Sequence, residues 1–266
     1  MEHEAAIRFG VFFGGFALLA IWEFFAPRRS LVASKGNRWL TNWGMSVVNT
    51  GVTVMMKFLL GAAAVAAAFD AQKQGWGLFN GLDWPLWLEC LIVFVLLDFA
   101  IWAQHWASHQ IPILWRLHRV HHADRDLDVS TAIRFHPIEI ALSMGLKIGL
   151  VYLLGAPAVA VILFEVVLNA AAMFNHANIR LGSWDRVLRK VIVTPDMHRV
   201  HHSIIRAEHD TNYGFNLSIW DRLFGTFTSE PKGGQLGMTV GLKEHQSQEP
   251  TRLLWSLKFP FLGSRG

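Results

Sequence analysis

An all-α integral membrane helical bundle of about four to five transmembrane helices, completed by a cytoplasmic helical cap, is predicted by three features of the sequence. The 266-residue chain is 52% hydrophobic and only 17% charged, its apolar residues gather in runs long enough to cross a bilayer, and its Lys and Arg residues concentrate in alternate connections. This composition excludes disorder and argues against an ordinary soluble enzyme. The formal charge is +4, yet long stretches rich in Trp and Phe interrupt the basic residues, so a membrane is the expected partner and nucleic acid is not. A single cysteine cannot form an internal disulfide and leaves no thiolate site, so nitrogen and oxygen must hold any metal.

The first crossing is expected over 5–25, about the ~20 residues a spanning helix needs, with Arg8 and Glu23 near its ends. Without the small-residue cleavage pattern of a signal peptide, it reads as a retained helix. A second run, 42–69, is long enough to cross with tilt although Lys57 lies inside it, and a third covers 85–103. The apolar stretch that follows is too long for one helix. Gly155-Ala156-Pro157 divides it into crossings at 138–154 and 157–175, since proline suits the start of a helix and breaks its interior. Five crossings put the basic regions 27–44, 104–137 and the tail after Asn175 on one side. By the positive-inside rule that side is cytoplasmic. The tail shows turn signals and no long apolar run, so residues 1–266 read as a single domain whose cap packs on the bundle.

Histidines avoid the apolar runs. His105 and His109 are four apart at the end of the third helix; His118, His121 and His122 form H-x-x-H-H; His136 precedes the fourth helix and His176 ends the fifth; His198, His201 and His202 repeat H-x-x-H-H. Spacings of three and four place imidazoles on one helical face. A lone histidine is most simply a satisfied surface or core residue. A half-buried group of eight or more would be heavily penalised on protonation, whereas a metal binds the neutral rings. That number also exceeds what one tetrahedral ion uses, so the count asks for a dimetal site. Imidazole suits iron, zinc, copper and nickel alike.

With these clusters stand Trp115-Arg-Leu-His-Arg-Val-His-His122, Arg134-Phe-His-Pro-Ile-Glu139, Asn175-His-Ala-Asn178, Thr194-Pro-Asp-Met-His-Arg-Val-His-His-Ser203 and a block from Asn212 to Thr226. In this order they resemble the fatty acid hydroxylase/sterol desaturase superfamily of membrane di-iron oxygenases, over a core of about 98–226. The resemblance implies two iron ions (Fe2+/Fe3+), with zinc a substitute that purified protein could carry, and oxidation of an unactivated C–H bond of a lipid by dioxygen. It implies as metal ligands the eight histidines of the three clusters, followed by His176 and then His136. Hydroxylation ranks before desaturation; fatty acyl, sterol-like or hopanoid, carotenoid and ether lipids are all open as substrates. No flavin, nicotinamide or haem motif accompanies the core, so electrons are expected from a separate ferredoxin or cytochrome b5-type donor with its reductase. The competing readings are a metal-storage or transport protein, which needs ligands along the crossings, and a two-zinc hydrolase, which lacks an obvious general base.

Asp98 lies two turns before His105 and is expected either to orient a ligand imidazole or to serve a polar group elsewhere. Asp196 is a further candidate to touch a ligand, although it and Asp221 more often cap helices or pair with arginine. Glu139 is expected to pair with Arg134, Glu165 and Asn169 to line a substrate cleft or pack helices, and Lys57 and Lys147 to snorkel. His3, His209 and His245 are isolated. Trp22, Trp39, Trp43, Trp84, Trp87, Trp102 and Trp106 read as an interfacial belt, and Cys90 as a small packing residue.

Overall fold

The computed structural model describes residues 3–60 and 63–263, in which the chain is helical and no strand forms among the described residues. Its helices are α1 (Glu4–Phe25), α2 (Lys35–Leu60), α3 (Ala64–Gln74), α4 (Leu86–Gln110), α5 (Pro112–His122), α6 (Pro137–Leu154), α7 (Ala158–His176), α8 (Trp184–Leu188), α9 (Pro195–His201), α10 (Arg206–His209), α11 (Ile219–Leu223), α12 (Gly234–Gly237) and α13 (Leu253–Lys258). Four of them, α1, α4, α6 and α7, are long and apolar enough to cross a membrane, which makes this a membrane protein of all-α architecture.

Between lipid-facing helices no hydrophobic drive remains, and close packing has to hold the bundle. The α3 helix shows how: Ala64, Ala67, Ala68 and Ala71 are buried along one face, and small side chains there let it lie against α6 and α7. Around them Val93, Leu97, Val151, Val161 and Phe164 close the largest apolar cluster, with Cys90 packed at its margin. A second cluster joins α1 to α7 through Phe16, Leu19 and Met173. Gly155, in the left-handed region (φ 62°), caps α6, and Pro157 opens α7. The loop after α3 packs so closely on this turn that a Cβ at Gly77 would lie 2.0 Å from the Gly155 nitrogen.

The second apolar run differs from its expected form. Its helix starts at Lys35, seven residues before 42, and ends at Leu60; residues 61 and 62 of the expected crossing lie outside the described residues, and Ala63 is extended (φ −97°, ψ 168°) before α3 begins. Because Arg38 and Asn42 are both wholly buried, the early turns of α2 belong to the cap, where their polar side chains have partners. The α4 helix also outruns the expected 85–103 by two turns, and those turns carry His105 and His109.

Candidate metal centre

Proline decides where the histidine-bearing helices begin. Pro112 at the first position of α5 turns the chain back on α4, and Pro195 opens α9, which packs on α7 and whose N-cap Thr194 accepts a hydrogen bond from the Met197 amide at 3.4 Å. Each short helix then ends on H-x-x-H-H. Adjacent residues on a helix point about 100° apart while i and i+4 share a face, so the two rows divide. His118 and His122 of α5 join His105 and His109 of α4 and receive His201 from α9; His198 of α9 and His202, its C-cap, join His176 of α7 and receive His121 from α5. Within each group the ligand nitrogens lie within 4.8 Å of one another and every residue is buried.

Hydrogen bonds at the outer nitrogens fix the tautomers. His105 Nδ1 donates to the Tyr213 carbonyl at 2.7 Å, His121 Nδ1 to that of Arg134 at 3.2 Å, His176 Nδ1 to Ala172 at 2.6 Å and His201 Nδ1 to Thr211 at 2.7 Å. His118 Nδ1 meets Glu139 Oε1 at 2.6 Å, and His109 Nδ1 meets Asp210 Oδ1 at 3.2 Å. A carbonyl oxygen can only accept, so the proton sits on Nδ1 and Nε2 is bare. Bare nitrogens then face each other: His105 Nε2 lies 3.0 Å from His118 Nε2, and His121 Nε2 lies 3.1 Å from His176 Nε2. Two lone pairs at that distance repel unless a cation lies between them. His109 Nε2, His201 Nε2 and both nitrogens of His122 are buried without a hydrogen-bond partner. This donor set fits metal ions of the kind imidazole binds.

Burial above all, and then the neighbouring imidazoles, push His121, His122, His198, His201 and His202 well below the usual histidine range. The rings are therefore neutral at physiological pH, the form a metal requires.

Nine of the ten expected metal-site histidines lie in the two groups. His136 does not: its Nδ1 accepts from the Ile138 amide as the N-cap of α6, and its Nε2 is 3.2 Å from the Leu257 carbonyl. Asp98 touches no imidazole; it accepts from Trp220 Nε1 at 2.8 Å and the Leu217 amide at 3.3 Å. Asp196 pairs with Arg28 and Arg199. Arg134 is not the partner of Glu139, because its guanidinium is taken up by Asn42, Ser256 and the Val120 and Pro250 carbonyls. Glu139 is left to hold His118. Trp102 leaves the interfacial belt: it is buried and donates to Asp221 Oδ1 at 3.0 Å. His209, isolated in sequence, lies with His109 and Asp210 and stacks on Trp115.

The block from Asn212 to Thr226 carries no physical role in the sequence reading, and in the structure it orients two of the rings. Asn212 takes a left-handed φ of 55°, its amide side chain bridges the Met197 and Thr228 carbonyls, and Asp221 grips the Tyr213 and Gly214 amides. The Thr211 and Tyr213 carbonyls are thereby aimed at His201 and His105.

Beside the first group opens a cavity of about 420 Å3, bounded by α2, α4, α6 and α7. His105, His118 and Glu139 stand at one end of its wall, and Asn169, Met144 and Lys147 lie farther along α6 and α7. Lys147 does not snorkel outward, since Glu165 holds its ammonium at 2.6 Å and also pairs with Arg8.

Glu139 fixes the donor form of His118, so Glu139→Gln is expected to lower metal affinity by roughly 10–100-fold, the usual effect of removing such an outer partner. Titration of bound metal against a chelator measures it, and unchanged affinity would show that the carboxylate has no such role.

Comparison with known proteins places these features. The family described as fatty acid hydroxylase matches residues 90–226. The chain is 36% identical over 152 residues to ornithine lipid hydroxylase OlsE of Rhizobium tropici, covering 56% of this chain and 45% of that protein. It is 31% identical over 195 residues to human alkylglycerol monooxygenase, covering 73% of this chain and 43% of that one. It is 25% identical over 239 residues to the fatty acid hydroxylase vlmA of a Lecanicillium species, covering 84% and 60%. The matches to the first two thus span less than half the length of those relatives. No solved structure matches the chain.

Proposed function

This chain belongs to the fatty acid hydroxylase family, and from that membership and the two histidine groups we propose that it is a membrane-bound di-iron oxygenase acting on a lipid. The observation that carries the reading is the convergence of nine buried imidazoles, divided five and four, beside a cavity among apolar helices. Two iron ions bound there would supply the redox chemistry that activates dioxygen for attack on an unactivated C–H bond. His105, His109, His118, His122 and His201 would hold one ion, and His121, His176, His198 and His202 the other.

The protein's own part is orientation and exclusion of water. Carbonyl and carboxylate acceptors lock the rings, and the cavity wall places an amphiphile's reacting carbon beside His105 and His118 while its chain stays among apolar side chains. The named relatives act on ornithine lipids, alkylglycerols and fatty acids, which supports a lipid substrate here. Hydroxylation is the first reading and desaturation the second; they differ in whether oxygen or loss of a second hydrogen completes the reaction. Electrons come from a separate redox protein in this reading. The distribution of Lys and Arg supports placing the metal site and the C-terminal tail on the cytoplasmic side. A metal carrier would need ligands along the crossings, whereas among the described residues both groups gather at one end of α4 and α7.

Metal analysis of purified protein with lipid-dependent dioxygen uptake, joined to lipid mass spectrometry of cells with and without the gene, tests the proposal. Iron, uptake and a lipid gaining one oxygen are expected; a lipid losing two hydrogens would favour desaturation. Metal without any lipid-dependent uptake would reject the oxygenase reading. Ser143→Trp, which fills the cavity without replacing a histidine, is expected to reduce uptake roughly 100-fold through misplaced substrate while metal content holds.

A further inference from the structure

The cap carries an apolar surface that the metal centre does not use. Trp184, Val187, Val191, Leu223 and Phe224 are between 50% and 67% exposed. They form one surface because the segments bearing them are tied together: the Ser218 amide donates to the Val191 carbonyl at 3.0 Å, Ser218 Oγ donates to the Arg189 carbonyl at 2.8 Å, and Ile192 bridges Leu217. Contiguous apolar patches of this kind mark an interaction surface.

Its depth relative to the bundle is set by α4. Trp220 donates to Asp98, Trp102 donates to Asp221, and the Phe224 ring stacks on Trp102 at 4.6 Å. Asp98 and Trp102 precede His105 by seven and three residues, so α11 is held roughly 5–10 Å along α4 from His105, on the side of the crossing. In a bilayer crossed by α4, that level is where the crossing would give way to the headgroup zone.

The charges around the patch are mainly basic. Arg186 and Lys190 are exposed and border a cleft with Ser183 and Arg189; Arg222, also exposed, lies over the Phe227 ring. Asp185 is buried against Arg189, which leaves the exposed Glu230, 3.6 Å from Arg189, as the acidic neighbour. Apolar side chains with Trp, rimmed by Lys and Arg, suit a segment lying in the headgroup zone.

We propose that the surface formed by α8, α11 and the strand-like link between them lies in the plane of the membrane and binds anionic lipid headgroups. Its apolar side chains enter the acyl boundary, and Arg186, Lys190 and Arg222 meet the phosphates. The cap is then a lipid-bound lid on the metal end of the bundle, not a domain free in water.

The test uses the full-length, metal-loaded protein in nanodiscs of phosphatidylcholine with or without phosphatidylglycerol. Cys90→Ala removes the single native thiol, and a bimane label is placed through Val187→Cys, Leu223→Cys or, as the exposed reference on the cap, Glu244→Cys. Labels at 187 and 223 are expected to be quenched by nitroxide lipid and shielded from iodide, with the reverse at 244. Spin-labelled phosphatidylglycerol should be enriched at the protein, and Arg186→Gln and Lys190→Gln should each lower that preference about five-fold. Three results would overturn the proposal: iodide reaching 187 as freely as 244, shielding that disappears when each disc holds a single copy, or equal affinity for the two lipids. None of these readouts depends on oxygenase activity.

Discussion

His201→Ala and His202→Ala are expected to remove different metal ions, although the residues are adjacent. His201 faces His105, His109, His118 and His122, whereas His202 faces His121, His176 and His198. In the two-ion reading, each substitution lowers metal content from about two ions per chain to about one. Each also lowers lipid-dependent dioxygen uptake by more than about 100-fold, because a lost ligand exceeds the effect of a lost outer partner. The double variants decide the grouping. His109→Ala added to His201→Ala removes no further ion, since both serve one group, while His202→Ala added to His201→Ala empties both. Metal analysis by mass spectrometry, with circular dichroism as the check on folding, reads the outcome. Loss of all metal from either single variant would mean that the nine imidazoles act as one site, and the division into five and four would fail.

That division also shows how far the sequence reaches. The spacing of four correctly pairs His105 with His109, His118 with His122 and His198 with His202. Residues three apart, expected to share the same face, do not: His121 and His201 turn to the other group, and all eight clustered residues, with His176, lie in the two groups. Spacing does not say that α5 and α9 each lend a ring to the other's partners, because that depends on two proline-started helices meeting across some 80 residues of sequence, from 118 to 198. Carboxylates were less legible for a related reason. Glu139 lies across the start of the fourth crossing helix from Arg134 in sequence, yet Arg134 is drawn away by Asn42 and Ser256, and only that long-range capture frees Glu139 for His118. His136 has the right residue type and place, but its backbone position makes it a cap. The loop after Asp210 gave a recognisable pattern without a physical role, since a carbonyl's direction depends on a left-handed Asn212 that composition does not reveal. Arg38 reads in the sequence as part of a basic connection, because its burial is visible only once Asp124 and Asp128 are known to face it.

Arg38→Met is expected to destabilise the protein by about 3–5 kcal/mol, the effect of leaving buried charges without their partner. Arg38 is wholly buried and holds Asp124 through two nitrogens at 2.5 and 2.9 Å and Asp128 through the third at 2.5 Å. Burial alone would raise the Asp124 carboxyl; Arg38 outweighs it and holds the group at about 2, below its ordinary 3.8. A folded value that is depressed means stability present above the ordinary value and lost as pH falls toward 2. The gap between wild type and Arg38→Met should therefore be full at neutral pH and narrow below about pH 4. Arg38→Lys is not expected to restore it, since one ammonium cannot reproduce the fork that spans two carboxylates, whereas adding Asp124→Asn to Arg38→Met should recover part of the loss. Thermal unfolding in detergent measures all four proteins. The consequence extends to the metal groups: Asp124 follows His122 by two residues, Asp128 caps the turn Val129–Ile133, and the next residue, Arg134, supplies the carbonyl that orients His121. Arg38→Met should therefore weaken metal retention in folded protein as well, and an unaltered affinity there would show that the α5–α6 connection keeps its course without the ion pair.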